Sequence, residues 1–82
     1  MTPTAQKKSI TFHPHFVRRW NMRALDIDHV EDTVRTGAVI ERFGRRIGFK
    51  KYYGKENETY HVFAMIEDNI IEVRTAWTTI GR

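Results

Sequence analysis

Three basic or titratable side chains recur every four residues near the start of the chain: His15, Arg19 and Arg23, with Arg18 beside them. Residues four apart on a helix are neighbours, so a helix here would stack these groups in one row. Like charges in such a row repel, and an anion would relieve that repulsion, because the planar arginine fork matches phosphate or carboxylate oxygens. The row predicts an anion-binding surface or, alternatively, cations paired with acidic groups elsewhere in the fold.

A histidine among arginines could also do acid–base chemistry. We predict His15 as a general base or acid and Arg19 and Arg23 as an electrostatic clamp on a phosphate, although a lone histidine commonly serves only as a structural hydrogen-bonding group. The sequence has no glycine-rich phosphate loop, no Ser-His-Asp arrangement and no paired carboxylates at a strand end. The sequence therefore lacks the residues that ordinary kinase, hydrolase and glycosidase mechanisms need.

The triplet His13-Pro14-His15 raises the question of a metal site, with His29 or His61 as further ligands. The chain has no cysteine, and no carboxylate follows at a recognised ligand spacing. We therefore predict neither a metal site nor a cofactor.

A second basic group is interleaved with aromatic residues between positions 42 and 55. Basic groups that follow a phosphate backbone, beside rings on which bases stack, are typical of single-strand nucleic-acid binding, although aromatic residues in strands commonly belong to the core. Alternation sends Phe49 and Lys51 to one face of a strand and Lys50 and Tyr52 to the other. The residues predicted to hold RNA are Arg18, Arg45, Arg46, Lys50, Lys51, Tyr52, Tyr53 and Arg74.

Composition limits the protein to one domain over residues 1–82, with a flexible tail at residues 1–7, because 82 residues bury only one small core. The formal net charge is +4, and residues 1–55 hold twelve basic and five acidic groups. Such a surface favours nucleic acid or an acidic protein partner, or serves only solubility. The longest apolar run, Val62 to Ile66, is far short of the roughly 20 residues that span a membrane. Without cysteines or a signal core, we expect a soluble cytoplasmic protein.

The periodicity predicts the elements that position these side chains. Lys8 to Phe12 alternates as a first strand, Pro14 to Ala24 has a helical apolar stripe, and Asp26 caps a second helix that stops at Gly37. Alternation then predicts four strands: Val39 to Phe43, Ile47 to Tyr53, Tyr60 to Ile66 and Ile70 to Trp77. In the last strand, Val73 and Trp77 are expected in the core, with Thr75 near it. The fold class is α+β, with two N-terminal helices packed on one face of an antiparallel sheet (β-α-α-β-β-β-β). This leaves the opposite sheet face, or a rim beside the first helix, available for a ligand.

The segment His15 to Asp26, followed by Val30 and Thr36 to Glu41, resembles an uncharacterised domain family of small bacterial and archaeal proteins with the pattern H-a-x-x-R-m-x-x-R-g-I-s. The strand Ile71 to Trp77 resembles the family's terminal "v-x-T-x-y" strand. The family is similar to BrnT and RelE-type toxins of toxin-antitoxin modules. The resemblance implies a RelE-like fold and places His15, Arg19, Arg23 and Thr75 at the family's characteristic polar positions, as a catalytic set.

This resemblance implies a toxin-like ribonuclease that cleaves RNA without metal, by attack of a ribose 2′-hydroxyl on the neighbouring phosphate. Its partners would be RNA, with or without the ribosome, and an acidic antitoxin protein, with no membrane. The alternative is a non-catalytic module on the same fold that binds nucleic acid or an acidic partner. A third hypothesis is a structural protein, such as a homodimer, whose arginines are paired internally.

Overall fold

A computed structural model of the chain describes residues 9–17 and 25–82. The elements are β1 (Ser9–Phe12), α1 (helical at residues 14–17), α2 (Ile27–Thr36), β2 (Ala38–Phe43), β3 (Arg46–Tyr53), β4 (Glu58–Glu67) and β5 (Ile70–Ile80). The predicted α+β class is confirmed, and α2 and the five strands lie close to their predicted positions in the chain. The predicted tail and residues 18–24 of the first predicted helix lie outside the described residues.

Helix α2 begins and ends as its sequence indicates. The Asp26 carboxylate accepts hydrogen bonds from the backbone N–H groups of Asp28, at 2.9 Å, and His29, at 3.4 Å. Such a cap satisfies donors that have no partner inside the helix. At the other end, the Gly37 N–H donates to the Thr33 carbonyl at 2.8 Å. A Cβ on Gly37 would collide with the Thr33 and Lys50 carbonyl oxygens, so glycine lets the helix end lie against β3.

The five strands form one sheet in the order β1-β5-β4-β3-β2. Strands β2 to β5 are an antiparallel meander, whereas β1 pairs with β5 in parallel, from Ser9 opposite Ile70 to Phe12 opposite Val73. The sheet is therefore mixed, and the prediction of an antiparallel sheet is wrong at this edge. Alternation of apolar residues specifies which face a side chain occupies but carries no information on strand direction.

The core lies between the helices and one face of the sheet. From α2, Val30 and Val34 are 0% and 1% exposed, and they belong to the same buried cluster as Phe49 of β3 and Val62 of β4. Phe16 of α1 joins this cluster. The helices thus cover one face, which we call the covered face, and leave the opposite one, the open face. Among the described residues, no helix is long and apolar enough to cross a membrane.

A β-bulge between β4 and β5 changes which face the end of β5 presents. Phe63 pairs with Thr75 and Ala64 with Val73, so Arg74 is the extra residue. Val73 and Ala76 are both buried in the core, although their spacing in a regular strand would place them on opposite faces. Trp77 consequently lies on the open face instead of in the core with Val73, where alternation placed it.

Candidate functional site

The open face carries a row of three rings, the stacking row, formed by His61, Trp77 and Phe63. The His61 and Trp77 rings are stacked with centroids 5.1 Å apart and planes 7° from parallel. The Phe63 and Trp77 rings are stacked at 5.5 Å and 9°. All three side chains are half-buried, so each ring keeps exposed surface. The row is a stack of nearly parallel aromatic rings from two adjacent strands, in which Trp77 contacts both of the others.

The local sequence explains why these rings lie together. His61 and Phe63 are two residues apart on β4 and therefore share a face, and the strand register sets Trp77 directly opposite His61. Gly48 of β3 pairs with Phe63. A Cβ on Gly48 would come within 3.0 Å of the Phe63 ring. The glycine thus leaves room for the ring to extend over β3.

Cationic side chains of β3 border the stacking row. The Arg46 guanidinium lies 5.9 Å from the centre of the Phe63 ring, and Lys50 pairs with His61 across the strands. Within residues 9–17 and 25–82, neither Arg46 nor Lys50 forms an ion pair with a carboxylate. At the same end of the sheet as Lys50, the Arg82 guanidinium lies over the Tyr52 ring at 4.7 Å. The stacking row is therefore bordered by positive charge that is available to an anion.

His61 is the titratable member of the row. Burial lowers the pKa of His61 below its usual 6.5, and the positive charge of Lys50 lowers it further. The His61 Nε2 lies 3.0 Å from the Thr79 hydroxyl oxygen. An imidazole with a lowered pKa is uncharged at neutral pH and is able to accept a proton.

A cavity of about 310 Å³ lies beside the row, at the β5 bulge. Arg74 stands at this cavity, and its Nε donates to Glu72 Oε1 at 2.7 Å. The residues that line the cavity are Arg46, Phe63, Ala64, Met65, Arg74 and Thr75. Four of them come from the stacking row or from the predicted set of RNA-binding and catalytic residues. The bulge is what brings Thr75 to this side of the sheet.

Two residues predicted to hold RNA lie on the covered face instead. Lys51 Nζ donates to Asp32 Oδ2 at 2.7 Å and to the Thr36 hydroxyl at 2.7 Å, and the Tyr53 hydroxyl donates to the same Asp32 oxygen at 2.7 Å. These hydrogen bonds hold the pKa of Asp32 below its ordinary value, the one from Lys51 having the larger effect. Burial, with the Asp32 charge beside it, raises the pKa of the Tyr53 hydroxyl. These contacts join α2 to β3.

His15 lies in the first turn of α1 and is exposed. Its backbone N–H donates to His13 Nδ1 at 3.1 Å, so the His13 side chain caps the helix. The His13 backbone N–H donates to the Val73 carbonyl at 2.9 Å, which places the start of α1 beside the β5 bulge. His15 itself does not line the cavity that contains Thr75. Arg18, Arg19 and Arg23 lie outside the described residues.

The remaining predicted RNA-binding residues divide between the open face and its rim. Lys50 and Tyr52 lie on the open face, as the alternation of β3 predicts, and Arg46 is there with them. Arg45, in the turn before β3, pairs with Glu67 at 3.0 Å. In the described part of the chain, no three histidine or acidic side chains converge in a way that could hold a metal ion.

Sequence reasoning missed the stacking row. His61 and Phe63 stand inside the run Tyr60 to Ile66, which we interpreted as one apolar strand without dividing it into faces. Strict alternation would have separated them from Tyr60 and Val62, which are buried. For Trp77 no such signal exists, because the bulge that turns it outward has no mark in the sequence.

Comparisons of the chain with protein-family models, with curated proteins and with solved structures give no match.

Proposed function

We propose that this protein binds single-stranded RNA across the open face of its sheet. The stacking row supports the proposal most directly, because a half-buried stack of aromatic rings on the open face of a sheet can be extended by stacked nucleic-acid bases. Single strands are favoured over duplexes, because a duplex keeps the faces of its bases stacked on each other. RNA is proposed rather than DNA because of the resemblance to BrnT and RelE-type toxins.

The charges around the row support the same function. Arg46 and Lys50 border the rings and have no carboxylate partner among the described residues, so a phosphate backbone would neutralise charge that the fold leaves uncompensated. Arginine beside an aromatic ring can bind phosphate while its own plane contributes to stacking. The open face thus combines affinity for bases with affinity for the backbone.

Intrinsic fluorescence tests this proposal. The chain has two tryptophans, so Trp20→Phe leaves Trp77 of the stacking row as the only indole reporter. We expect a mixed-sequence single-stranded RNA 12-mer to quench Trp77 at low salt and added salt to reverse the quenching, whereas the matching duplex binds more weakly. Far-UV circular dichroism of Trp20→Phe controls for folding. Absence of quenching at low salt, or equal affinity for duplex and single strand, would contradict the proposal.

Cleavage of RNA without metal is a second candidate function, and the position of His61 favours it. An imidazole with a lowered pKa stands in the middle of the proposed RNA surface, where it could accept the proton of a ribose 2′-hydroxyl. As the 2′-oxygen attacks the adjacent phosphorus, the bond to the 5′-oxygen breaks, and that oxygen takes a proton from water, which leaves a 2′,3′-cyclic phosphate and a 5′-hydroxyl. An arginine of the open face would stabilise the charge on the phosphate. The family resemblance instead assigns the catalytic role to His15, with Arg19, Arg23 and Thr75.

Mixed RNA incubated with the protein in EDTA distinguishes the two histidines. We expect cleavage that persists in EDTA and is lost in His61→Gln, while His15→Gln retains it. Loss in His15→Gln alone would support the catalytic set implied by the family resemblance. The incubation is repeated with ribosomes, to check for cleavage that depends on them. If the RNA stays intact in both cases but is bound in a salt-dependent way, RNA binding alone is the function.

The resemblance further supports a toxin-like role in the cytoplasm, with an acidic antitoxin protein that covers the basic surface. Induced expression of the wild-type chain in bacteria should then arrest growth, and Trp77→Ala should relieve the arrest at equal protein level. Growth that is unaffected by the wild-type chain would contradict the toxin-like role without bearing on RNA binding in vitro.

A further inference from the structure

The cavity at the β5 bulge, which we call the bulge cavity, is a concave site next to the stacking row. Its volume of about 310 Å³ is at the lower limit of small-molecule sites, which measure roughly 300 to 1,000 Å³. The space therefore suits one small polar ligand better than a stretch of polymer. One wall is the Phe63 ring, so the cavity opens directly from the stacking row.

Two arginines from different strands line this cavity. Arg46 comes from β3 and stands over the Phe63 ring, whereas Arg74 comes from the bulge of β5. Paired arginines that approach from two sides are suited to a phosphate, which offers several acceptor oxygens. The Thr75 hydroxyl also lines the cavity and makes no side-chain hydrogen bond to any of the described residues. An unused hydroxyl, two cations and a ring together match the parts of one nucleotide.

Glu72 holds Arg74 in a defined orientation. The Arg74 Nε donates to Glu72 Oε1 at 2.7 Å, and no ion pair within the described residues occupies the terminal amino groups of Arg74. A guanidinium fixed through Nε presents those amino groups as a fork for a second anion. Glu72 is thus a positioning residue, even though its own charge repels an anion.

We propose that the bulge cavity binds a single nucleotide of the RNA strand, with its base on the Phe63 ring and its phosphate between Arg46 and Arg74. This inference rests on the proposed RNA binding and adds a subsite to it. The Thr75 hydroxyl serves as a hydrogen-bonding partner for the sugar or the base edge. The β-bulge completes the subsite, since it brings Thr75 to the open face beside Arg74.

Adenosine 5′-monophosphate is the probe for this subsite, followed through backbone amide shifts in ¹⁵N-labelled full-length protein. We expect shifts at Ala64, Met65 and Thr75, and affinity about tenfold lower for adenosine, which lacks the phosphate. Inorganic phosphate should bind more weakly than the nucleotide, because it has no base to stack. Equal affinity for phosphate and nucleotide would overturn the role given to Phe63.

Substitutions test whether the nucleotide binds in the bulge cavity or is attracted only by the overall positive charge of the protein. Arg74→Gln should lower the affinity for the nucleotide about tenfold, whereas Arg45→Gln removes an arginine outside the cavity and should leave it unchanged. Equal losses from the two changes would overturn the subsite. Glu72→Ala should lower the affinity for the nucleotide if Glu72 positions Arg74. If Glu72 instead acts only by repelling the phosphate, the same change should raise the affinity, because a negative charge is removed.

The outcomes separate this inference from the proposed function. If RNA quenches Trp77 but the nucleotide leaves Ala64, Met65 and Thr75 unshifted, the subsite is wrong and RNA binding stands. If neither RNA nor nucleotide binds at low salt, both proposals are wrong. Thr75→Val keeps the β-branched shape of the side chain and removes only the hydroxyl. A threefold or greater loss of nucleotide affinity, roughly the cost of one hydrogen bond, would show that the Thr75 hydroxyl binds the nucleotide.

Discussion

A histidine is stacked flat on an aromatic ring at each face of the sheet, His29 from α2 on the covered face and His61 from β4 on the open face, yet the two pairs have opposite surroundings. On the covered face, His29 lies 4.1 Å from Tyr53 at 5°, and Tyr60 meets both rings edge-on. On the open face, His61 lies 5.1 Å from Trp77 at 7°. The first pair is enclosed by a helix and by hydrogen bonds, whereas the second keeps half-exposed rings beside cations.

The neighbouring residues Lys50 and Lys51 show the same difference within one strand. Lys51 binds Asp32 and Thr36 of α2, so its charge is compensated inside the fold. Lys50 points to the other face and forms no ion pair with a described residue. A basic, aromatic segment such as β3 therefore has two roles at once: alternate residues stabilise the fold, and those between them are available to a ligand.

The largest contrast should appear in two phenylalanine truncations. Phe49→Ala removes a ring that is 2% exposed in the core and should cost about 3–5 kcal/mol of unfolding free energy. That loss approaches the whole stability of a chain this short, roughly 4–12 kcal/mol. Phe63→Ala, on the open face, should cost about 1 kcal/mol, since the ring is only half-buried. Urea unfolding measures both, and equal losses would contradict the assignment of faces.

One substitution in each stack should separate binding from stability. Trp77→Ala should weaken binding of a single-stranded RNA by about 1–3 kcal/mol, roughly 5- to 150-fold, because a base loses its stacking partner. Tyr53→Phe removes the hydroxyl that donates to Asp32 and should lower stability while leaving RNA affinity unchanged. Fluorescence anisotropy with labelled RNA measures the affinities. A comparable loss of affinity in Tyr53→Phe would remove the distinction between the faces.

The two lysines should differ in the salt dependence of RNA binding. Lys50→Ala should reduce the slope of log affinity against log salt concentration by about 0.7, the value for one phosphate contact on a single strand. Lys51→Ala should leave the slope unchanged and instead lower the unfolding free energy, because Asp32 loses its ion pair. A reduced slope in Lys51→Ala would indicate that Lys51 leaves Asp32 to contact RNA.

The smallest expected effect is the pH dependence of stability that Asp32 contributes. Its pKa is lower in the folded chain than in the unfolded chain, so the unfolded state binds more protons in acid. The contribution of Asp32 is fully present above its ordinary pKa of 3.8 and is lost as the pH falls through the lower folded value. Urea unfolding from about pH 6 to about pH 2 should therefore show a shallower decline in Asp32→Asn. Glu41→Gln, on the exposed strand β2, should follow the wild type.

Much of the fold could be predicted from local patterns. Asp26 caps α2 and Gly37 ends it, since capping and close backbone approach depend on residue type at one position. The faces of Lys50 and Lys51 follow from alternation. The candidate site was harder to predict. The row of His15, Arg19 and Arg23 predicts a site on α1, of which the structure describes only residues 14–17. Trp77 could not be assigned, because one bulged residue reverses the alternation beyond it.

By itself, the sequence determined the class of the fold, the positions of α2 and of strands β1 to β5, and the side chains that alternate along each regular strand, because these depend on periodicity and on residues that cap or break elements. Only the tertiary structure decided the parallel pairing of β1 with β5 and the meeting of His61, Phe63 and Trp77 on one face. The reason is physical: pairing, register and bulges depend on contacts between residues far apart in the chain. The bulge cavity depends on the same contacts, because a single extra residue opposite β4 brings Thr75 to the open face beside Arg74.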